Sequence, residues 1–300
     1  MVKIAFPNIG IGEFTLESVA FSLFGLEVRW YGLIIVTGMI AAFFYARYRA
    51  HMEGISDDDL LDYFLFAVAS GVVGARFYYV VTSLDQYDSI GEVFAIWNGG
   101  LGIYGGIIFG AVAVILVSRH KKIPLLRALD MAALPVMIGQ TVGRWGNFFN
   151  GEAFGHIDKF EFFGLTVNTP SAEKLPWIMQ VNSYASDYET LLVHPTFLYE
   201  SVWNLVGFLI INALYKKKKF DGQVVFMYVG WYGFGRMFIE GLRSDSLYVG
   251  NTNIKISQLI GLPRSSHSQQ PDDLQGTQLL QVHLRSISRP STTESQDPEA

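Results

Sequence analysis

One run of the chain concentrates groups suited to handling an anion. Gly143-Arg144-Trp145-Gly146-Asn147-Phe148-Phe149-Asn150-Gly151-Glu152-Ala153-Phe154-Gly155 holds one arginine, two asparagines and four glycines. On a helix, Arg144 and Asn147 share a face at i,i+3. The glycines and asparagines favour unwinding, which would aim backbone amides and the Asn147 and Asn150 side chains at something polar. A guanidinium with such donors beside it suits a phosphate. The competing reading is structural, with Arg144 paired to a carboxylate and stapling helices together. A second set, Arg236, Glu240 and Arg243, recurs at i, i+4 and i+7 on one face of a helix. Two arginines against one carboxylate leave a positive surplus, which near a headgroup layer suits an anionic phospholipid head. An interfacial ladder of salt bridges is the alternative.

Other motifs are less specific. Trp97-Asn98-Gly99-Gly100-Leu101-Gly102-Ile103-Tyr104-Gly105-Gly106 permits close helix packing, and Tyr104 is its one titratable side chain. Gly71-Val72-Val73-Gly74-Ala75-Arg76 reads as a packing stripe with Arg76 paired to a carboxylate. His194-Pro195-Thr196-Phe197-Leu198-Tyr199-Glu200 opens a helix, with Glu200 read as an electrostatic cap. HExxH, GxSxG and Walker patterns are absent and the six histidines lack metal-ligand spacing, so neither a metal nor a cofactor is expected. With no cysteine, any thiol chemistry must use another molecule's sulfur. A net charge of −5 offers no basic field for nucleic acid.

The elements that position these groups follow from where charge is missing. Only 16% of residues are charged while 50% are hydrophobic, too little polar surface for a soluble globule. Uncharged runs lie between Arg29 and Arg47 and over residues 99–118, each near the ~17–25 residues that span a bilayer. Residues 60–84, 128–149, 197–215 and 224–242 are similarly apolar but carry Asp62, Arg76, Asp130, Arg144, Glu200, Arg236 and Glu240, which makes six expected spans. Ten basic residues (Arg47, Arg49, Arg119, Lys121, Lys122, Arg127 and Lys216 to Lys219) fall in the odd-numbered connections, against six (Lys3, Arg29, Lys159, Lys174, Arg243 and Lys255) on the other side. Basic loops stay cytoplasmic, so the N-terminus is expected outside.

The expected fold class is an all-α polytopic membrane protein. A helical transmembrane bundle carries a small extracytoplasmic head and an N-terminal surface arm. Residues 1–29 form the arm, 30–149 spans one to four, 150–196 the head, and 197–262 spans five and six with a truncated seventh. Residues 263–300 lack aromatic residues, hold four of ten prolines, and are expected to form a disordered polar tail.

Taken together the motifs resemble the bacterial prolipoprotein diacylglyceryl transferase family. The run from Gly143 to Gly155 is similar to its signature. Trp30-Tyr31-Gly32, the glycines around Tyr104, His194-Pro195, Tyr199-Glu200 and the segment from Tyr232 to Arg243 match its other blocks in order, over about residues 1–260. The resemblance implies a multi-pass enzyme of the bacterial plasma membrane, with its active site toward the outer face. Such an enzyme moves the diacylglyceryl group of phosphatidylglycerol onto the lipobox cysteine of a preprolipoprotein and releases glycerol phosphate. It also implies site residues. Arg144, Arg236, Tyr104 and Glu240 are the catalytic candidates: the arginines, with Asn147, hold the phosphate, and Tyr104 or Glu240 relays the thiol proton. Arg144, Asn147, Asn150, Glu152, Gly155, Tyr31, Tyr232 and Arg243 are the substrate-binding candidates. The implied partners are phosphatidylglycerol, the lipobox peptide and membrane lipid, without nucleic acid.

Two features depart from the family pattern. Tyr104 stands where some members have histidine, and a seventh span begun at residues 254–262 breaks into Pro263-Arg264-Ser265-Ser266. The rival reading from another class is a multi-pass transporter or phospholipid-binding protein. Its usual sign, paired broken spans in two related halves, is missing.

Overall fold

The computed structural model describes residues 1–84, 87, 89–96, 99–169, 172–187, 189–244 and 255. The truncated seventh span, Lys255 apart, and the polar tail lie outside these residues. Five helices are long and apolar enough to cross a membrane. They are α1 (Trp30–Glu53), α2 (Asp57–Thr82), then, after the short α3 (Ile90–Phe94), α4 (Ile103–Lys121), α5 (Leu125–Asn150) and α6 (Thr196–Leu214). The sixth expected span is the 20-residue α7 (Gln223–Leu242), which has the length but carries Arg236 and Glu240.

Local chemistry sets the ends. Ser56 accepts the Asp59 amide at 3.1 Å, and three aspartates in the first turn of α2 complement its dipole. Gly54, at φ +71°, closes α1. α1 continues seven residues past Ala46, so Arg49, read from sequence as a loop charge, is a buried helix residue. Its guanidinium donates to Asn212 and to the Tyr45 hydroxyl and lies 3.9 Å from the Tyr215 ring centroid.

In lipid the helices gain little from apolar burial against one another, so small residues that allow close approach decide the packing. α2 and α4 cross at Gly74 and Gly105, where a Cβ on Gly105 would collide with the Gly74 carbonyl. α6 and α7 are joined by two tryptophans stacked at 4.4 Å, each indole N–H donating to the other's backbone carbonyl: Trp203 to Trp231 at 3.0 Å and Trp231 to Trp203 at 2.9 Å. Gly235 and Gly207 leave the notches those rings fill. At the other end of the bundle, buried Asp130 of α5 accepts the Gly222 and Val225 amides at 2.7 and 2.8 Å and so caps α7. Lys218 bridges Asp130 at 3.1 Å and Glu53 at 2.6 Å.

The all-α expectation is incomplete. β1 (Val2–Phe6), β2 (Ile11–Leu16), the β3–β4 hairpin (Val19–Leu23, Leu26–Arg29), the β5–β6 hairpin (Lys159–Phe162, Leu165–Asn168), β7 (Met179–Asn182) and β8 (Leu191–Val193) are all present. Four of them form an antiparallel sheet in the order β2-β1-β7-β8, which joins the N-terminus to residues almost 180 positions away, as in the Lys3↔Asn182 pair. Its core is Val2, Ile4, Met179, Val181, Val193, Phe154 and Phe197. The hairpins turn on Phe24-Gly25 and Phe163-Gly164, all four residues at positive φ.

Two further expectations are corrected. The glycine-rich end of α5 does not unwind: it stays helical to Asn150 and stops at Gly151, φ +60°. Gly146 serves packing, since a Cβ there would lie 2.7 Å from the Tyr31 ring. Among the described residues Arg76 pairs with no carboxylate. It donates to the carbonyls of Glu92, Val93, Gly99 and Gly100 at 2.6 to 2.9 Å and thereby fixes the α3 segment to the end of α2.

The glycine crossing yields a direct test. Gly105→Val forces α2 and α4 apart and should cost about 1–3 kcal/mol. Gly139→Ala, where an added Cβ meets nothing within 4 Å, should be neutral or slightly stabilising. Thermal unfolding of both variants in detergent checks the pair.

Candidate functional site

The C-terminal end of α5, the first turns of α6 and the C-terminal end of α7 meet at one carboxylate. Glu200, 2% exposed, accepts aligned hydrogen bonds at Oε1 from Arg236 and from Arg243, both at 2.9 Å. Arg144 meets the other oxygen, Oε2, at 2.5 Å as an ion pair without hydrogen-bond alignment. Arg236 also pairs with Glu240 one turn on. Among the described residues the three guanidiniums and two carboxylates carry a formal sum of +1. Arg144 is the most open of the three arginines, its side chain 21% exposed against 15% and 10%.

The sequence reading assigned Glu200 a capping part, and the structure corrects this. It sits in the second turn of α6 and is the hub on which Arg144, Arg236 and Arg243 converge. Two signals pointed to it, its charge inside an apolar run and its place beside Tyr199 in a family block. Trp145 supports the arrangement by donating to Ser201 Oγ at 3.2 Å, and Ser201 donates in turn to the Thr141 carbonyl at 2.9 Å.

A second group lies beside the hub. Asn147 and Asn150 donate to Glu152 Oε1 at 3.2 and 3.1 Å, and Tyr184 donates to Oε2. The two amides thus converge on a carboxylate of the chain itself, and Tyr184 joins the group with no sequence signal. Tyr31 packs on Gly146, within electrostatic reach of both Glu152 and Arg144. Gly155 acts through its backbone. It exchanges hydrogen bonds with His194 at 2.9 and 3.0 Å and bridges to Arg243, and a Cβ there would come within 3.0 Å of three neighbours. Lys255, fully buried, donates to the Glu240 and Arg243 carbonyls at 2.8 and 3.0 Å and pairs with Glu161 at 3.1 Å.

The remaining candidates stand further from the hub. Tyr232, one turn before Arg236, stacks on Tyr228 at 5.9 Å. Tyr104 opens α4 and tilts against Tyr78 at 6.1 Å, and among the described residues its hydroxyl makes no hydrogen bond. His194 shares a hydrogen bond with the Tyr199 hydroxyl at 2.9 Å, and burial pushes its ring below the ordinary 6.5, so it is neutral at neutral pH.

Residues 18–266 match the family model described as prolipoprotein diacylglyceryl transferase. The chain is 42% identical over 247 residues to a phosphatidylglycerol–prolipoprotein diacylglyceryl transferase of Clostridium kluyveri, covering 82% of this chain and 91% of that one. Proteins of the same name from Enterococcus faecalis (42% over 250 residues, 82% and 86% covered) and Streptococcus pneumoniae (43% over 256 residues, 82% and 91%) are similar to it. A match across this much of the chain, hub and glycine-rich run included, makes it a member of the prolipoprotein diacylglyceryl transferase family.

Proposed function

We propose that the Glu200 hub is where this transferase grips the phosphate of phosphatidylglycerol while the diacylglyceryl group passes to the lipobox cysteine of a preprolipoprotein. The observation that carries the reading is Arg144. It is the most exposed of three clustered guanidiniums, and the only one held to Glu200 without an aligned hydrogen bond. In the reaction the thiol gives up its proton, sulfur bonds to the glycerol carbon, and the carbon–oxygen bond to phosphate breaks, releasing glycerol phosphate. Charge grows on the departing phosphate, and arginines already fixed in a water-poor site stabilise it without reorganising.

Arg236 and Arg243 form the fixed part of the cradle and Arg144 the part that engages the lipid. Glu152, with Asn147, Asn150 and Tyr31, borders the same space, and Gly155 and Tyr232 shape it. Glu240, held on Arg236, and Tyr104, with its unengaged hydroxyl, are the groups proposed to move the thiol proton. Helix alternation supports Tyr104, because the start of α4 lies at the same end of the bundle as the end of α5 and the start of α6.

We place this end at the outer face. The lysines at 216–219 and the basic residues from Arg119 to Arg127 belong to the opposite end, as cytoplasmic loops require. On this reading α7 is the sixth span, residues 1–29 are the surface arm, and residues 150–196, tied to the arm by the four-stranded sheet, are the extracytoplasmic head. The transporter reading gains nothing from a hub whose two carboxylates are both taken up by arginines.

Three substitutions test the assignment through thioether formation on a lipobox peptide with labelled phosphatidylglycerol. Arg144→Ala should leave folded protein without transfer. Lysine at that position, lacking the planar fork, should restore little, and Arg119→Ala, exposed at the far end of α4, should be near neutral. Full activity of Arg144→Ala would remove the basis of the proposal. Glu200→Gln keeps shape but removes the counter-charge that three guanidiniums share, leaving Arg236 only its pair with Glu240, so a stability loss on the order of 3–5 kcal/mol should accompany the loss of rate, read by thermal unfolding beside the assay. Tyr104→Phe should slow transfer by roughly 10²–10⁴, the span for a lost acid or base, and a loss below about threefold would make it a packing residue.

A further inference from the structure

We infer that the outer edge of β8 is a strand-addition site for the stretch of substrate polypeptide that follows the acceptor cysteine. The inference rests on the reading above, in which that polypeptide supplies the thiol.

β8 ends the sheet order β2-β1-β7-β8. It pairs with β7 through Met179↔Val193, Gln180↔Leu192 and Val181↔Leu191, with no break in register. The next residue, His194, spends its N–H and C=O on Gly155, on the side away from β7. Backbone groups alternate along a strand, so Leu191 and Val193 face β7 while Leu192 presents its N–H and C=O to the same outer side as His194. Among the described residues nothing takes up that pair.

Gly155 therefore starts a fifth strand position that the chain itself abandons. In antiparallel register with 155 opposite 194, residue 157 would fall opposite 192, but the backbone bends at 157–158 and enters the β5–β6 hairpin instead. The open position is flanked by Leu191 and Leu192, 37% and 38% exposed.

Direction and reach select the occupant. On its other side Gly155 bridges to Arg243, whose guanidinium is 2.9 Å from Glu200. Seven residue steps, three extended and four helical, lead from Val193 to Glu200, about 16 Å at most. A polypeptide laid antiparallel to β8 has its N-terminal end directed past Gly155 toward the arginines and its C-terminal end running off the sheet. That is the polarity required of a chain whose cysteine sits at the hub and whose following residues trail away. Pairing through backbone groups reads no side chains, so it suits acceptors that differ after the cysteine.

The test uses the full chain in phosphatidylglycerol nanodiscs with a biotinylated peptide, an apolar stretch followed by one cysteine and a short extension. p-Benzoylphenylalanine is placed at Leu192, or at Ile11 on β2, the opposite and equally open edge of the same sheet. In parallel, an analogue N-methylated at the second and fourth residues after the cysteine loses backbone donors but keeps its sulfur. Cross-linking of the peptide at 192 and not at 11 is expected, with KM for the analogue raised about tenfold and kcat within about threefold. Peptide cross-links at 11 as strong as at 192, cross-links at 192 only to a second copy of the enzyme, or an unchanged KM would each overturn strand addition. Thioether formed from the unmodified peptide separates the two readings: its absence refutes the function, and its presence without these effects refutes the docking edge alone.

Discussion

Burying a guanidinium costs several kcal/mol unless a counter-charge meets it, and three of them meet at Glu200. That requirement fixes how three helices end. α6 must start where α5 and α7 finish, so its positive N-terminal end lies beside their negative C-terminal ends. The charges then agree with the helix dipoles: the carboxylate belongs to the first turns of α6, and Arg144 and Arg243 to the last turns of α5 and the cap of α7. The opposite end of the bundle obeys the same rule with another set. There Asp130 caps the start of α7, and Lys218 links it to Glu53 and Asp221. Arg49, Arg127 and Lys218 balance Glu53, Asp130 and Asp221, the pattern of a structural network. Among the described residues the Glu200 hub is weighted toward arginine, which fits the anion-binding role proposed for it.

Between these polar ends the bundle is held by shape. Lipid removes most of the hydrophobic gain from pairing helices, so notches and the side chains that fill them decide register. The reciprocal tryptophans of α6 and α7 set the height of Glu200 relative to Arg236, because Trp203 is three residues from one and Trp231 five from the other. The Gly74–Gly105 crossing does the same for α4, and so for the level of Tyr104. Arg76 completes that half by holding the α3 segment through four backbone carbonyls, so that its charge meets carbonyl dipoles.

What the sequence revealed followed from periodicity and charge. The apolar runs gave the helices, and Arg144, Arg236, Glu240 and Arg243 stood out because charge in such runs is costly. Glu200 is a charge in such a run too, but an acidic residue near a helix start is ordinarily explained by the dipole, and its part as a hub stays hidden because its three partners lie 36 to 56 residues away. The sheet escaped for a similar reason. Strands of three to six residues carry little pattern, and β1 and β7 find each other only across the whole bundle. The expected unwinding at Gly146 failed because a glycine in a membrane helix is spent as often on a neighbour's ring, here Tyr31, as on backbone freedom.

The geometry of the hub also bears on how a lipid phosphate could enter without dismantling it. Arg236 and Arg243 share Glu200 Oε1 through aligned bonds, so moving either would strand a buried charge. Arg144 holds Oε2 alone and poorly aligned. Turning from that carboxylate to a phosphate exchanges one anion for another, so the step neither buries nor exposes an unpaired guanidinium. Its free-energy difference is then set by hydrogen-bond geometry, where a planar fork on a phosphate is the better match. A ligand shifts an equilibrium only by its differential affinity for the two states. On the proposed reading that difference is the gain from a misaligned contact to an aligned one, set against the loss of the Arg144 charge at Glu200 Oε2.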